Sequence, residues 1–408
     1  MTDLIKGNAV IGQSGGPTAV INQSLVGIIE TLKSCRKIPK ILGANHGVDG
    51  IVNNKFFDLK KLKKAELERL AQSPAAALGS SRTKPTPELC KKIFASLEAN
   101  DVRYFFYIGG NDSADTCRIV NEMANESGYE LRCFHVPKTI DNDLRVTDHT
   151  PGYGSAAKFV ASAFAGEDRD NASLPGIKIS IIMGRDAGWL TAASVLGKID
   201  NTSGPHLVYV PEVAFDEKKF IDDVAAAYKK YGRCLIAVSE GIKNKKGVPM
   251  AVALCEQMGK EIERDAHGNA QLSGSGMLGD MLSELVKAKA PRKLGVKSLR
   301  VRADTYGYLQ RSFAGYASEV DQYEARMCGR TAAELAMSGN LDGSVVMKRA
   351  KTKTYKVTFE RAELSQVARV TKEMPRNFIN KAGNGITKSY VNYALPLVGK
   401  LPTLGKLF

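Results

Sequence analysis

Val102-Arg-Tyr-Phe-Phe-Tyr-Ile-Gly109-Gly-Asn-Asp-Ser113 decides the fold. An apolar and aromatic run reaches Ile108, stops at Gly109-Gly-Asn-Asp-Ser113, and gives way to a helical stretch from Ala114. A strand so continuously apolar reads as buried on both faces, which points to a parallel sheet covered by helices. The same order recurs along the chain. Asn8 to Gly12 leads into Gln13-Ser-Gly-Gly16 and a helical pattern from about Ala19, and Leu131 to Val136 ends in Pro137-Lys-Thr-Ile-Asp-Asn-Asp143. Ile177 to Ile182 ends in Met183-Gly-Arg185, and Cys234 to Ser239 in Glu240-Gly241. Strands alternating with helices give an α/β fold with mainly parallel sheets, in which ligands bind outside the carboxyl ends of the strands. All five candidate strands end in their most polar, glycine-rich residues, so the reading brings them to one cleft.

At 408 residues the chain exceeds what one hydrophobic core supports, and two domains are expected. The break is placed near Thr150–Gly154, with a return to the first domain after Gln310. No apolar run is long enough to span a membrane, and the N-terminal residues read as a strand entering a loop rather than as a signal peptide. The seven cysteines form no CxxC pair or Cys/His cluster, which fits a reducing cytoplasm. The net charge of +15, from 58 basic and 43 acidic residues, favours polyanionic partners, either nucleic acid or small phosphorylated molecules.

The chemistry sits in the loops. Gly12 to Gly16 would let backbone N–H groups approach a phosphate, or would simply make a turn, since it matches neither common phosphate-loop pattern. Gly109 to Ser113 offers oxygens suited to Mg2+, from Asn111 and Asp112, although Asp112 or Ser113 would equally serve as a helix cap. Pro137 to Asp143 gathers two carboxylates and a lysine. Asp141 is placed to accept a proton from a sugar hydroxyl while Lys138 neutralises phosphate charge; an Asx-turn is the other reading. Arg185 suits a phosphate and Glu240 sugar hydroxyls. The stretch Leu299 to Arg311 carries three arginines and two tyrosines, and reads either as a site for a phosphate monoester or as a solvated strand edge.

In order, these pieces resemble the phosphofructokinase family: Ser14-Gly-Gly16, Gly79-Ser-Ser-Arg82, Gly109-Gly-Asn-Asp-Ser113, Pro137-Lys-Thr-Ile-Asp-Asn-Asp143, Met183-Gly-Arg185, Pro211-Glu212, Glu240 and Tyr308-Leu-Gln-Arg311. The resemblance implies two Rossmann-like three-layer domains with the active site in the cleft between them. Residues 1–150 plus about 311–408 would form the donor-binding domain and about 151–310 the sugar-phosphate domain. It implies Mg2+-dependent phosphoryl transfer to the 1-hydroxyl of fructose 6-phosphate. Asp141 matches the general base, Thr139 a contact to the transferring group, and Gly16 a glycine beside the donor phosphates. Arg82, Ile140 and the Thr139–Asp141 loop belong to the substrate-binding motifs. Met183, Gly184, Arg185, Glu240, Tyr308, Leu309, Gln310 and Arg311 match sugar-phosphate contacts. Arg302 matches an arginine that reaches a neighbouring subunit, so a homodimer or homotetramer is implied.

The resemblance also bears on the donor. ATP-using members carry Gly where this chain has Asp112 and Lys138, and both positions here match the pyrophosphate-using type. A carboxylate at Asp112 would occupy the place of an ATP α-phosphate and repel it, by on the order of several kcal/mol at an effective dielectric near 20. Lys138 would stabilise charge on pyrophosphate as it divides. Three positions depart from the family pattern. Asn111 stands where an Mg2+-associated Asp is usual, which shifts the metal toward Asp112 and the pyrophosphate oxygens. Tyr308 replaces a histidine, and the arginine usual about seven residues before Met183 is absent. The arginines that bind effectors in many ATP-dependent relatives are missing after Gly16. The alternatives are an ATP-dependent phosphofructokinase and a non-catalytic, basic nucleic-acid binder; no aromatic-rich strand or zinc motif supports the latter.

Overall fold

A computed structural model describes residues 4–259, 276–339 and 342–407. Along the chain come β1 (Asn8–Gln13), β2 (Ile41–Ala44), β3 (Phe56–Asp58), β4 (Val102–Gly109) and β5 (Arg132–Pro137). They are followed by β6 (Ile177–Ile182), β7 (Leu207–Tyr209), β8 (Cys234–Ser239), β9 (Val301–Thr305), β10 (Asp342–Arg349) and β11 (Val357–Ala362). These strands build a seven-stranded sheet of order β11-β10-β5-β4-β1-β2-β3 and a four-stranded sheet of order β7-β8-β6-β9. Pairing is parallel except at the two edges of the larger sheet, where β3 runs against β2 and β11 against β10. All five strands expected from sequence are present.

The chain divides into two units: residues 1–155 with 311–372, and residues 156–310 with 373–408. In the first, the two-residue period of the strands sorts side chains into two cores. Ile11, Tyr104, Phe106, Ile108 and Phe134 pack into one, against helices Ile21–Lys33 and Glu319–Met337. Val10, Phe105, Tyr107 and Cys133 pack into the other, against helices Pro87–Ala99 and Asn111–Glu126. That alternation gives three layers, and it is why the strands read as continuous apolar runs. Helices Ile21–Lys33 and Glu319–Met337 meet at glycines. A Cβ on Gly27 would lie 2.2 Å from the Arg326 carbonyl oxygen, and one on Gly329 would lie 2.1 Å from that of Ser24.

In the second unit, Ile177, Ile179 and Ile181 of β6 pack with Ile236 and Val238 of β8 and with helices Glu217–Tyr231 and Met277–Leu294. The C-terminal segment was expected to complete the first unit as far as residue 408. Instead 311–372 does so, and residues from 373 onward pack with the second unit. The cause is an apolar helix face. Lys388–Val398 buries Tyr390, Ala394, Leu397 and Val398, and the Tyr390 hydroxyl donates to the Trp189 carbonyl at 2.8 Å. Phe378 and Tyr393 pack edge-on or tilted against the same indole.

Candidate active site

In the first unit, parallel neighbours β1, β4 and β5 bring their carboxyl ends to one sheet edge. The loop after β1 turns at Gly15 with φ +75°, and the Ser14 N–H donates to the Ile108 carbonyl at 2.9 Å. The Gly15 N–H donates to the Ser81 carbonyl at 2.9 Å, which fastens the Gly79–Arg82 motif beside it. Three cationic side chains meet there. Lys138 is buried and its Nζ donates to the Gly16 carbonyl at 2.7 Å. A Cβ on Gly16 would sit 3.1 Å from Arg311 Nη1 and 4.0 Å from Arg82 Nη2. Burial brings the Lys138 ammonium down to about 8; Asp141 opposes that and the Arg311 and Arg82 charges add to it. A buried lysine beside two guanidiniums is a poor arrangement by itself and a good one for an anion of several charges.

At the end of β4, helix Asn111–Glu126 begins with Gly110 as its N-cap and without a side-chain cap. The helix-cap reading of Asp112 and Ser113 is therefore not the one observed, and Asp112 projects as an exposed carboxylate in the first turn. The Gly109 carbonyl accepts from the Lys138 N–H at 2.9 Å and bonds His135 Nε2 at 2.9 Å. His135 Nδ1 meets the Ser344 hydroxyl at 2.7 Å. Because Gly109 offers only a carbonyl, Nε2 carries the proton and Nδ1 accepts. Burial holds this imidazole down at about 4, so it stays neutral. His135 and Ser344 support the Gly109 turn and went unremarked in the sequence. The imidazole lies inside an apolar strand run, and its partner is 209 positions away.

The loop after β5 is closed by its own groups. The Thr139 N–H donates to the Pro151 carbonyl at 3.2 Å, and Thr150 Oγ1 donates to the Thr139 carbonyl at 2.8 Å. Asn142 takes φ +55° and its Oδ1 accepts from the Thr150 N–H. Asn142 thus ties the loop to a residue eight positions on, while the Asp141 N–H is held locally by Thr139 Oγ1 at 3.1 Å. Ile140 is buried beneath them.

The metal question turns on the same edge. Among the described residues no three His, Cys, Asp or Glu side chains form a metal-holding group. Mg2+ commonly needs only one or two carboxylates with phosphate oxygens and water, and Asp112, exposed in the first turn after β4, fits that donor set. Asn111 does not fit it: its Oδ1 accepts from the Arg369 N–H at 2.5 Å and its Nδ2 donates to the Val370 carbonyl at 3.0 Å.

In the second unit, β8, β6 and β9 are parallel neighbours and present a similar edge. Gly184 takes φ +142°; its N–H donates to Glu240 Oε1 at 3.4 Å and its carbonyl accepts from Ser239 Oγ at 2.5 Å. Buried Gln310 accepts from the Met183 N–H at 3.2 Å and donates to Gly307, so it orients the Met183–Arg185 turn. Arg185 is exposed, as are Tyr308 and Leu309. Arg302 is an exposed residue of edge strand β9, with its Nη1 on the Val301 carbonyl. Glu212 was noted in sequence only as part of a motif. Its Oε1 accepts from the Gly188 and Met374 N–H groups, and burial raises its carboxyl.

Two units with mainly parallel sheets, each with polar strand ends and one with a cationic corner of Lys138, Arg82 and Arg311, define an α/β protein suited to anionic ligands. The phosphofructokinase family profile matches residues 8–336, and the chain belongs to that family. It is 51% identical to a pyrophosphate–fructose 6-phosphate 1-phosphotransferase of Rhodospirillum rubrum, over 97% of this chain and 95% of the relative. It is 37% identical to an enzyme of the same name from Halomonas elongata, over 96% and 91%. A crystal structure of a pyrophosphate-dependent phosphofructokinase from Marinobacter aquaeolei superposes with a TM-score of 0.83 at 32% identity, covering 98% of this chain and 94% of that one.

Proposed function

We propose that the protein is a phosphotransferase that moves a phosphoryl group reversibly from pyrophosphate to the 1-hydroxyl of fructose 6-phosphate. The observation that carries the donor assignment is buried Lys138, bonded to the Gly16 carbonyl with Arg82 and Arg311 beside it, while Asp112 stands exposed on the next strand end. Pyrophosphate is small and highly charged, so a compact cationic corner suits it. A nucleotide would need room for an α-phosphate where the carboxylate stands.

In this reading Asp141 takes the proton of the 1-hydroxyl, and Thr139 orients the transferring group. Lys138 meets the charge that builds on the departing phosphate. Met183, Gly184, Arg185 and Glu240 hold the sugar phosphate on the second unit. Asp112, with the pyrophosphate oxygens, is the residue that would hold Mg2+, which when bound supplies charge neutralisation of the donor. We further infer a homodimer or homotetramer in the cytoplasm; exposed Arg302 on an edge strand and seven cysteines outside any disulfide support this.

The assay is phosphate release from pyrophosphate with and without fructose 6-phosphate and Mg2+. Release that requires all three, with fructose 1,6-bisphosphate as product, is the expected result. Turnover supported by ATP and not by pyrophosphate would overturn the donor assignment.

A further inference from the structure

Residues 369–372 touch both loops of the reacting edge in the first unit. At one end, the Asn111 carboxamide accepts from the Arg369 N–H and donates to the Val370 carbonyl, and Arg369 Nε lies 3.1 Å from Asp115 one turn further along the helix. At the other end, Thr371 forms an isolated antiparallel bridge with Leu144, and the Lys372 N–H donates to the Asp143 carbonyl at 2.6 Å. Lys372 Nζ donates to the Thr147 carbonyl at 3.1 Å and the Asp148 carbonyl at 2.9 Å. Four residues therefore tie the start of the helix that carries Asp112 to the segment that carries Asp141.

We propose that residues 369–372 are a brace that keeps the Asp112 and Asp141 loops in register, and that Asn111 is the positioning residue fastening it. The proposal rests on the phosphoryl-transfer reading of those loops. A carboxamide does this work and an ionised carboxylate cannot, because Asn111 must accept from a backbone N–H and donate to a backbone carbonyl at once. An aspartate there would keep the first bond and set a second oxygen against the Val370 carbonyl, which is repulsive. Asn111, where the resemblance implies an Mg2+-associated aspartate, makes a structural bond instead. Phosphoryl transfer depends on placement to within fractions of an ångström, so a loosened brace slows the chemical step more than it weakens binding.

The test uses the full-length protein and the variants Asn111→Asp, Asn111→Ala and Lys372→Met, with steady-state kinetics, Mg2+ titration, and hydrogen exchange over 139–148 and 369–372. Each variant is expected to lower kcat about ten-fold or more, since misplacement of this kind costs up to roughly a hundred-fold. Mg2+ half-saturation stays within about two-fold, and exchange rises in both segments. The Asn111→Ala/Lys372→Met double variant falls little below the worse single one, because the two residues act through one element. Asn111→Asp with unchanged kcat and tighter Mg2+ would make Asn111 a metal-side residue and overturn the brace. Multiplicative losses, or unaltered exchange over 143–148 in Asn111→Ala and Lys372→Met, would also overturn it. Should the unsubstituted protein not use pyrophosphate with fructose 6-phosphate, the reaction is wrong, and the exchange measurement alone decides the brace.

Discussion

In the proposed reaction Lys138 meets the charge on the departing phosphate, and its burial makes a prediction about pH. With the ammonium brought down to about 8, the free enzyme loses that charge as pH rises through about 8. kcat/KM for pyrophosphate should then fall above that pH. The limb in kcat should lie higher, because bound pyrophosphate favours the charged form. Stability moves the other way. From about 8 up to the ordinary 10.5, the unfolded chain holds a proton here that the native chain does not, so this group's contribution to stability rises with pH. Lys138→Met should remove the alkaline limb and lower kcat/KM by at least about a hundred-fold. An unchanged limb in that variant would assign the titration to another group. Parallel rate and melting profiles from pH 7 to 10.5 would check both halves.

At the scale of elements, the firmest expectations concern close approaches. Helices Ile21–Lys33 and Glu319–Met337 cross through Gly27 and Gly329, where a methyl group would meet backbone oxygen rather than a side chain that can turn aside. Gly329→Ala should cost about 1–3 kcal/mol in urea unfolding, or more if the helices cannot part. Leu397→Ala, on the helix that closes the second unit, should cost about 2–5 kcal/mol. Sequence made some elements legible and others not. β4, β5, β6 and β8 are near-continuous apolar runs, with few polar residues among them, because both faces are largely covered. β7 spans three residues and β2 four, too few to show a period. The placement of the candidate residues was legible: Lys138, Asp141, Arg185 and Glu240 all follow the carboxyl ends of strands. What a loop is fastened to was not legible. The bonds of His135 to Ser344 and of Asn111 to Val370 join residues 209 and 259 positions apart, and no local pattern marks them. The course of residues from 373 onward was hidden for the same reason: the apolar face of Lys388–Val398 asks for burial without naming its partner.

For the whole molecule, the +15 charge acts over distance rather than in the fold. It should favour encounter with multiply charged substrates, so KM for pyrophosphate should rise with ionic strength while kcat changes little. A series of initial rates in KCl would show this, and a salt-independent KM would confine the electrostatics to the cationic corner. The central claim is that Asp112 and Lys138 together select pyrophosphate. It is tested most directly by comparing initial rates with pyrophosphate and with ATP, at saturating fructose 6-phosphate and Mg2+, for the unsubstituted protein and the Asp112→Gly/Lys138→Gly variant. The account predicts turnover with pyrophosphate alone in the former, and in the latter its collapse with ATP turnover now measurable. An unsubstituted protein that prefers ATP, or a double variant that keeps its pyrophosphate rate, would contradict it.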